Sequence, residues 1–360
     1  MSYNYIQPYL GLSNGIQTMN SGAGGGGGVG GWVELGRTTL GSSGDNITVS
    51  SLADKRYYMV LVDCDTTGGN ARPTIRMGNG STDTGSNYAS RRNENGGTDA
   101  TNTSSTQIYQ QNLAEAVPQF QLNYIANLSG KEKLTTGWWC DTNAAGAANA
   151  PARSEFVGKW VNTSNPLDVI DIFNDEAGSF STGSECVVLG WDESDTHTTN
   201  FWEELDSVDL SGGAATSLTS NAFTSKKYLW IQCYVDMTTT QNPAYRIGNT
   251  TLDTGSNYST RDSQSGGTDN TRVSQTFIHS GINTGNMFTN FFIVNNASNE
   301  KLMIQHGVQQ ETAGAGNAPS RTERVHKWAQ TSSQADIFGL INTGSGNFGT
   351  GTIMKIWGSD

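Results

Sequence analysis

Asp83-Thr84-Gly85-Ser86-Asn87-Tyr88 recurs letter for letter as Asp253-Thr254-Gly255-Ser256-Asn257-Tyr258, 170 residues further on. Gly96-Gly97-Thr98-Asp99 returns at Gly266-Gly267-Thr268-Asp269 with the same spacing, and Trp32-Val33-Glu34-Leu35 pairs with Trp202-Glu203-Glu204-Leu205. Further along, Ala150-Pro151-x-Arg153 matches Ala318-Pro319-x-Arg321 and Trp160 matches Trp328. Gly178-Ser179-Phe180 matches Gly346-Asn347-Phe348, and the spacing is now 168. Chance does not supply six ordered matches, and a loss of two residues is one short indel in a loop. The period is far longer than that of a stacked solenoid unit, so each copy is a complete domain.

Within each copy, apolar and aromatic runs of strand length alternate with turn clusters. Residues 57–63, 74–77, 120–128, 134–140, 169–173 and 185–191 align with 228–236, 244–247, 288–296, 302–308, 336–340 and 353–359. With the Trp-led opening segment and the segment near Ile47, each copy holds about eight strands and no helical spacing. This predicts an all-β chain of two tandem jelly-roll-like β-sandwich domains. The predicted divisions are 1–31 for an N-terminal arm and tether, 32–193 for the first repeat, and 194–360 for a short linker and the second repeat.

Composition fits that reading. Of the 360 residues only 34% are hydrophobic and 15% charged, with 44 Gly and 7 Pro. The polar mass is Gly, Ser, Thr and Asn, which suits turns and strand faces. The net charge of −12 comes with no basic stripe, which argues against nucleic acid and anionic lipid as partners. No run approaches a membrane span, so no membrane insertion is expected. The opening MSYNYIQPYLGLSNG has neither a basic n-region nor an apolar h-region, so synthesis in a cytoplasm without a signal peptide is expected. Four cysteines with no CxxC are too few for a disulfide framework and read as buried small hydrophobes.

The arm carries Tyr3, Tyr5, Ile6, Tyr9 and Leu10, with Pro8 among them, ahead of the glycine run Ser21–Gly31. An aromatic peptide on a flexible tether reads as an anchor that orders on a partner.

The arginine-bearing strand that runs into Asp-Thr-Gly-Ser-Asn-Tyr (Arg76 to Tyr88, Arg246 to Tyr258) resembles a recurrent domain of tailed-bacteriophage virion structural proteins. So does the closing element, a Gly/Asn-Phe-x-x-Gly turn followed by a short apolar strand, at Gly178–Trp191 and Gly346–Gly358. The likeness is to capsid-decoration, fibre and other minor virion proteins of marine-phage type, and it spans most of both copies. Relatives of that kind usually carry one such domain, so the duplication is a departure. The resemblance implies a virion surface protein whose partners are other virion proteins, a major capsid or tail protein.

Candidate sites are few. Asp83, Asn87 and Tyr88, with Asp253, Asn257 and Tyr258, offer oxygen ligands for a cation or a sugar. An Asx-turn, a glycine at positive φ and a packed Tyr explain the same letters and are preferred. Asp-Thr-Gly also occurs in aspartic proteases, once per lobe. There it follows an apolar strand directly, whereas Asn79-Gly80-Ser81-Thr82 precedes it here. His197, His279, His306 and His326 show no zinc spacing, and none is duplicated. No nucleophile elbow or phosphate-cradling loop is present. The duplicated Trp32/Trp202 and Trp160/Trp328 read as packing residues. For the unduplicated Trp138, Trp139 and Trp230, packing is preferred over stacking on sugar rings.

These observations predict a non-enzymatic protein with no catalytic residues, no metal and no cofactor. It would be displayed on a virion, anchored by its arm, self-associating as a homo-oligomer (a trimer is the expectation), with outer loops that meet host surface glycans. A free carbohydrate-binding, lectin-like protein is the alternative. A hydrolase of host surface polysaccharide is a more remote one, since no duplicated acidic pair exists beyond Asp83/Asp253 and Asp99/Asp269, which turn chemistry explains.

Overall fold

The computed structural model describes residues 31–112, 114–195, 199–237, 239–280 and 285–360. The anchoring residues Tyr3, Tyr5, Ile6, Tyr9 and Leu10, and His197, lie outside the described residues. The described chain is all-β and forms two β-sandwich domains.

Each repeat pairs a large antiparallel sheet with a smaller one. The first large sheet runs, in spatial order, Val33–Thr39, Glu185–Trp191, Tyr57–Cys64, Gln119–Ala126, Lys133–Asp141, Ala152–Trp160, Tyr88–Glu94 and Ala100–Ser105. Its partner sheet runs Asn46–Val49, Val169–Asn174, Pro73–Asn79 and Ser81–Thr82. The second repeat has the same order. Its large sheet runs from Glu203–Asp209 and Ile353–Ser359 through Tyr228–Val235, Met287–Val294, Lys301–Gln309 and Ser320–Trp328 to Tyr258–Gln264 and Asn270–Gln275. Bulges interrupt both edge strands at matching places, between Glu34 and Gly36 and between Glu204 and Asp206.

The described residues hold fourteen strands in the first repeat and thirteen in the second, against about eight expected. Several of the extra strands are two-residue pairs such as Thr66–Thr67. Others, such as Ala100–Ser105, are polar edge strands with no apolar signal.

Tyr58 to Val62 of the strand Tyr57–Cys64 form an unbroken buried apolar run because both faces of the strand are covered. Tyr58, Val60 and Val62 enter the core of the first sandwich. Met59 and Leu61, one residue out of phase, enter a third core that the two repeats share. Strand periodicity puts alternate residues on opposite faces, so this third core lies between the two large sheets. The neighbouring strand shows the consequence most clearly. Phe120 and Leu122 pack between the repeats. The polar Gln119 and Gln121 turn inward, where their side-chain amides donate to the Ala71 and Pro73 carbonyls at 3.0 and 3.1 Å.

Candidate interaction site at the junction of the repeats

The duplicated hexapeptide is a bracket between sheets. Asp83 Oδ1 accepts from Gly85 N (2.8 Å) and Oδ2 from Asn87 Nδ2 (2.8 Å) and Trp160 Nε1 (2.8 Å). Asp253 does the same with Gly255 N (2.7 Å), Asn257 Nδ2 (2.8 Å) and Trp328 Nε1 (2.7 Å). Burial works against the charged form of Asp83, but the donors on Trp160, Gly85 and Asn87 outweigh it and hold its pKa below the usual range. The Tyr88 hydroxyl accepts from Met77 N (3.0 Å) and lies 2.8 Å from the Met77 and Asp83 carbonyls. Met77 belongs to the small sheet and Tyr88 opens a strand of the large one, so the hydroxyl ties the two layers together. Tyr258 repeats this on Ile247 and Asp253.

One detail differs from expectation. Gly85 and Gly255 are not among the glycines at positive φ. What excludes a side chain is proximity: a Cβ on Gly85 would meet Asn87 Nδ2 at 2.9 Å and Asp83 Oδ1 at 3.1 Å. The carboxylate oxygens of both copies are thus engaged by their own turn and tryptophan. Among the described residues no group of three or more His, Cys, Asp or Glu is placed to hold a metal ion.

The tryptophans pack. Trp139 is buried and donates Nε1 to Gln119 Oε1 at 2.8 Å. Trp230 stacks on Phe292 with ring centroids 5.5 Å apart and also meets Trp202 and Trp357. Trp138 stands between Tyr124 and His306. All four cysteines are free and buried.

The unforeseen site is the junction itself. Around the shared apolar core lies a ring of charged and polar contacts. Lys227 Nζ sits 3.0 Å from both Asp63 Oδ2 and Glu185 Oε1, and the Tyr228 hydroxyl donates to Glu185 at 2.9 Å. Burial raises the pKa of Asp63 even beside Lys227. Burial also opposes the charge on Glu185, but Thr39, Lys227 and Tyr228 prevail and lower its pKa. On the other flank, the Arg153 guanidinium forks onto Asp269, with Nε to Oδ2 at 2.9 Å and Nη2 to Oδ1 at 2.7 Å. Both side chains are almost wholly buried. This bidentate geometry is the strong form of an arginine–carboxylate pair.

The loop of residues 142–151 then reaches from the first repeat over the second. Lys327 Nζ donates to the Thr142 and Ala144 carbonyls (2.9 and 2.6 Å), Ser259 Oγ to the Asn149 carbonyl (2.9 Å) and Arg261 Nε to the Pro151 carbonyl (2.8 Å). Gly146 N donates in return to Glu300 Oε1 at 2.6 Å. Sequence signals for this junction existed. Phe120 and Leu122 alternate with Gln119 and Gln121, a pattern in which the apolar face belongs to a second layer. Nothing in one linear sequence says that the second layer is the other repeat.

No family model matches the chain, and no curated protein matches it. Among solved structures, the chain aligns with the mouse laminin alpha1 chain, domains LG4-5, at 10% identity and a TM-score of 0.20. That alignment covers 91% of this chain and 90% of the laminin chain. It also aligns with human GIVD cytosolic phospholipase A2 at 7% identity and a TM-score of 0.13, covering 86% of this chain and 33% of that one. Likenesses at those scores are too slight to bear on fold or function.

Proposed function

We propose that the chain is a non-enzymatic structural protein displayed on a virus particle. Its N-terminal arm docks on a major capsid or tail protein, the glycine run acts as a hinge, and the two sandwiches project as one unit whose outer loops meet host surface glycans. The observation that carries this reading is where the duplicated residues go. Asp83, Asn87, Tyr88 and Trp160, like their counterparts, are engaged in bracing the sandwich. Two groups of buried charge, Arg153 with Asp269 and Lys227 with Asp63, sit at the contact between repeats. Side chains invested in rigidity and in one large contact suit a building block. The resemblance of Arg76–Tyr88 and Gly178–Trp191 to virion proteins points the same way.

The test is quantitative mass spectrometry of purified particles from the source, scaled to the major capsid protein. Hundreds of copies would support capsid decoration; tens or fewer would support a tail or fibre component. Absence from particles would overturn the reading, and sugar binding by the free protein would then favour a lectin. Deleting residues 1–31 is expected to abolish incorporation and leave folding intact.

A further inference from the structure

The two repeats use opposite ends of the same sheet face in their junction. Leu302 and Val325 are 1% and 3% exposed, covered by the first repeat, while their repeat-equivalents Leu134 and Val157 are 55% and 50% exposed. The inequality reverses at the other end. Cys140 and Phe120 are buried in the shared core, while their counterparts Val308 and Phe288 are exposed. Each repeat therefore bares the end of the face that its twin buries.

The bare ends carry the chemistry of the engaged ones. Lys327, Glu300 and Arg261, which hold the 142–151 loop, have counterparts in Lys159, Glu132 and Arg91. Lys159 already sits 2.9 Å from Glu132, as Lys327 sits 3.2 Å from Glu300. Ser274, whose N–H bonds the Ala147 carbonyl, has φ 50°, and its counterpart Ser104 has φ 49°. Ala89 replaces Ser259, so one hydroxyl bond is lost. An apolar groove of about 460 Å³ runs along Leu134, Val157 and Lys159.

The loop that would fill it is already shaped. Asn149 N bonds the Gly146 carbonyl (3.2 Å) and Asn149 Nδ2 the Ala145 carbonyl (2.8 Å). Asn317 makes the same bonds to Gly314 and Ala313, both at 3.1 Å. The 313–319 loop stands exposed. Its contacts would again be made by main-chain carbonyls, which any sequence supplies. Charge complements shape: Arg321 and Asp99, counterparts of the buried Arg153–Asp269 pair, are 61% and 46% exposed.

We propose that a second copy of this chain docks here, its 313–319 loop and the exposed Val308 and Phe288 covering Leu134 and Val157, with Arg321 of one copy paired to Asp99 of the other. Each copy carries one such loop and one such face, so two copies that exchange loops form the smallest closed assembly. This goes beyond the functional reading above and stands or falls separately from particle incorporation.

The test is sedimentation velocity of the full chain across a wide concentration range. A species of twice the 38.5 kDa chain mass is expected. Arg321→Asp and Asp99→Arg should each weaken association about tenfold or more, and the double variant should restore it. Arg321 also bonds Glu323 and Asp99 bonds Arg91, so the urea midpoint of each variant is measured alongside, and the loss of association is expected in variants that remain folded. Mixing the single variants Asp99→Cys and Arg321→Cys should give a disulfide between chains. A monomer at every concentration, association indifferent to both charge reversals, or a cross-link formed only within one chain of the double cysteine variant would each overturn the proposal.

Discussion

Trp138 and His306 occupy the same position in the two repeats, and their rings meet across the junction with centroids 4.3 Å apart. Equivalent residues thus face each other at the centre of the contact, with the equivalent pair Glu155 and Glu323 beside them. The duplication created two copies of one surface, and the surfaces then diverged where they touch: one copy offers an indole, the other an imidazole.

That contact is expected to make the junction acid-sensitive. Burial pushes the His306 pKa down to about 4; Glu155 pulls it back up and Arg153 adds to the fall. A histidine whose folded pKa lies below its unfolded value contributes stability above the unfolded pKa of about 6.5. That contribution is lost as pH falls towards 4. His306→Phe is expected to flatten this acid limb in urea titrations at pH 7 and pH 4.5. An unchanged limb would place the sensitivity elsewhere.

The hexapeptide bracket predicts a fold cost and no metal effect. Asp83→Ala leaves Trp160 Nε1 without its acceptor and frees the Asp83–Asn87 turn, a loss of about 1–3 kcal/mol. Asp253→Ala should cost the same. Urea midpoints measure both. Calcium and chelator should leave the melting temperature of the parent chain unchanged, and a calcium-dependent rise would restore the cation reading of the loop.

Two aspartates from one motif should behave differently. Asp269 is buried against Arg153, so Asp269→Ala leaves the guanidinium Nε and Nη2 without their partner while Nη1 stays on Glu155, and should cost about 3 kcal/mol. Asp99, at the same position in Gly-Gly-Thr-Asp, pairs with Arg91 at 3.2 Å on the surface, and Asp99→Ala should cost under about 1 kcal/mol. Equal effects in chemical denaturation, at concentrations where the chain is a monomer, would contradict the junction geometry.

The legible part of the fold was the part written in local patterns. The repeat, the β class and the central strands follow from the Asp-Thr-Gly-Ser-Asn-Tyr spacing and from apolar runs such as Tyr57–Asp63. The polar edge strand Ala100–Ser105 was not legible, because edges need hydrogen-bond partners more than apolar side chains. The bracket was half legible: its turn was expected, but the acceptor role of Asp83 toward Trp160 needs two segments brought together by the sheet. The junction was not legible, because equal letters in the two copies have unequal surroundings. Leu134 and Leu302 read alike, and only the packing of the large sheets separates an exposed leucine from a buried one.

Glu323 gives the opposite pH sign to His306. Burial and the neighbouring Glu155 carboxylate push its pKa up to about 7. A carboxyl raised in the folded state contributes stability below its unfolded value of about 4.5, and loses it as pH rises through about 7. Glu323→Gln should therefore raise the melting temperature relative to the parent above pH 7, and the gain should fade below about pH 5. A gain of equal size at both ends would mean that the carboxylate pair is not the cause.

The two sandwiches are joined into one body by the core of Met59, Leu61, Phe120, Leu122, Trp230 and Phe292. Differential scanning calorimetry of the full chain tests it most directly. One cooperative transition is expected, with calorimetric and van't Hoff enthalpies equal. Two separable transitions, one for each repeat, would contradict the claim.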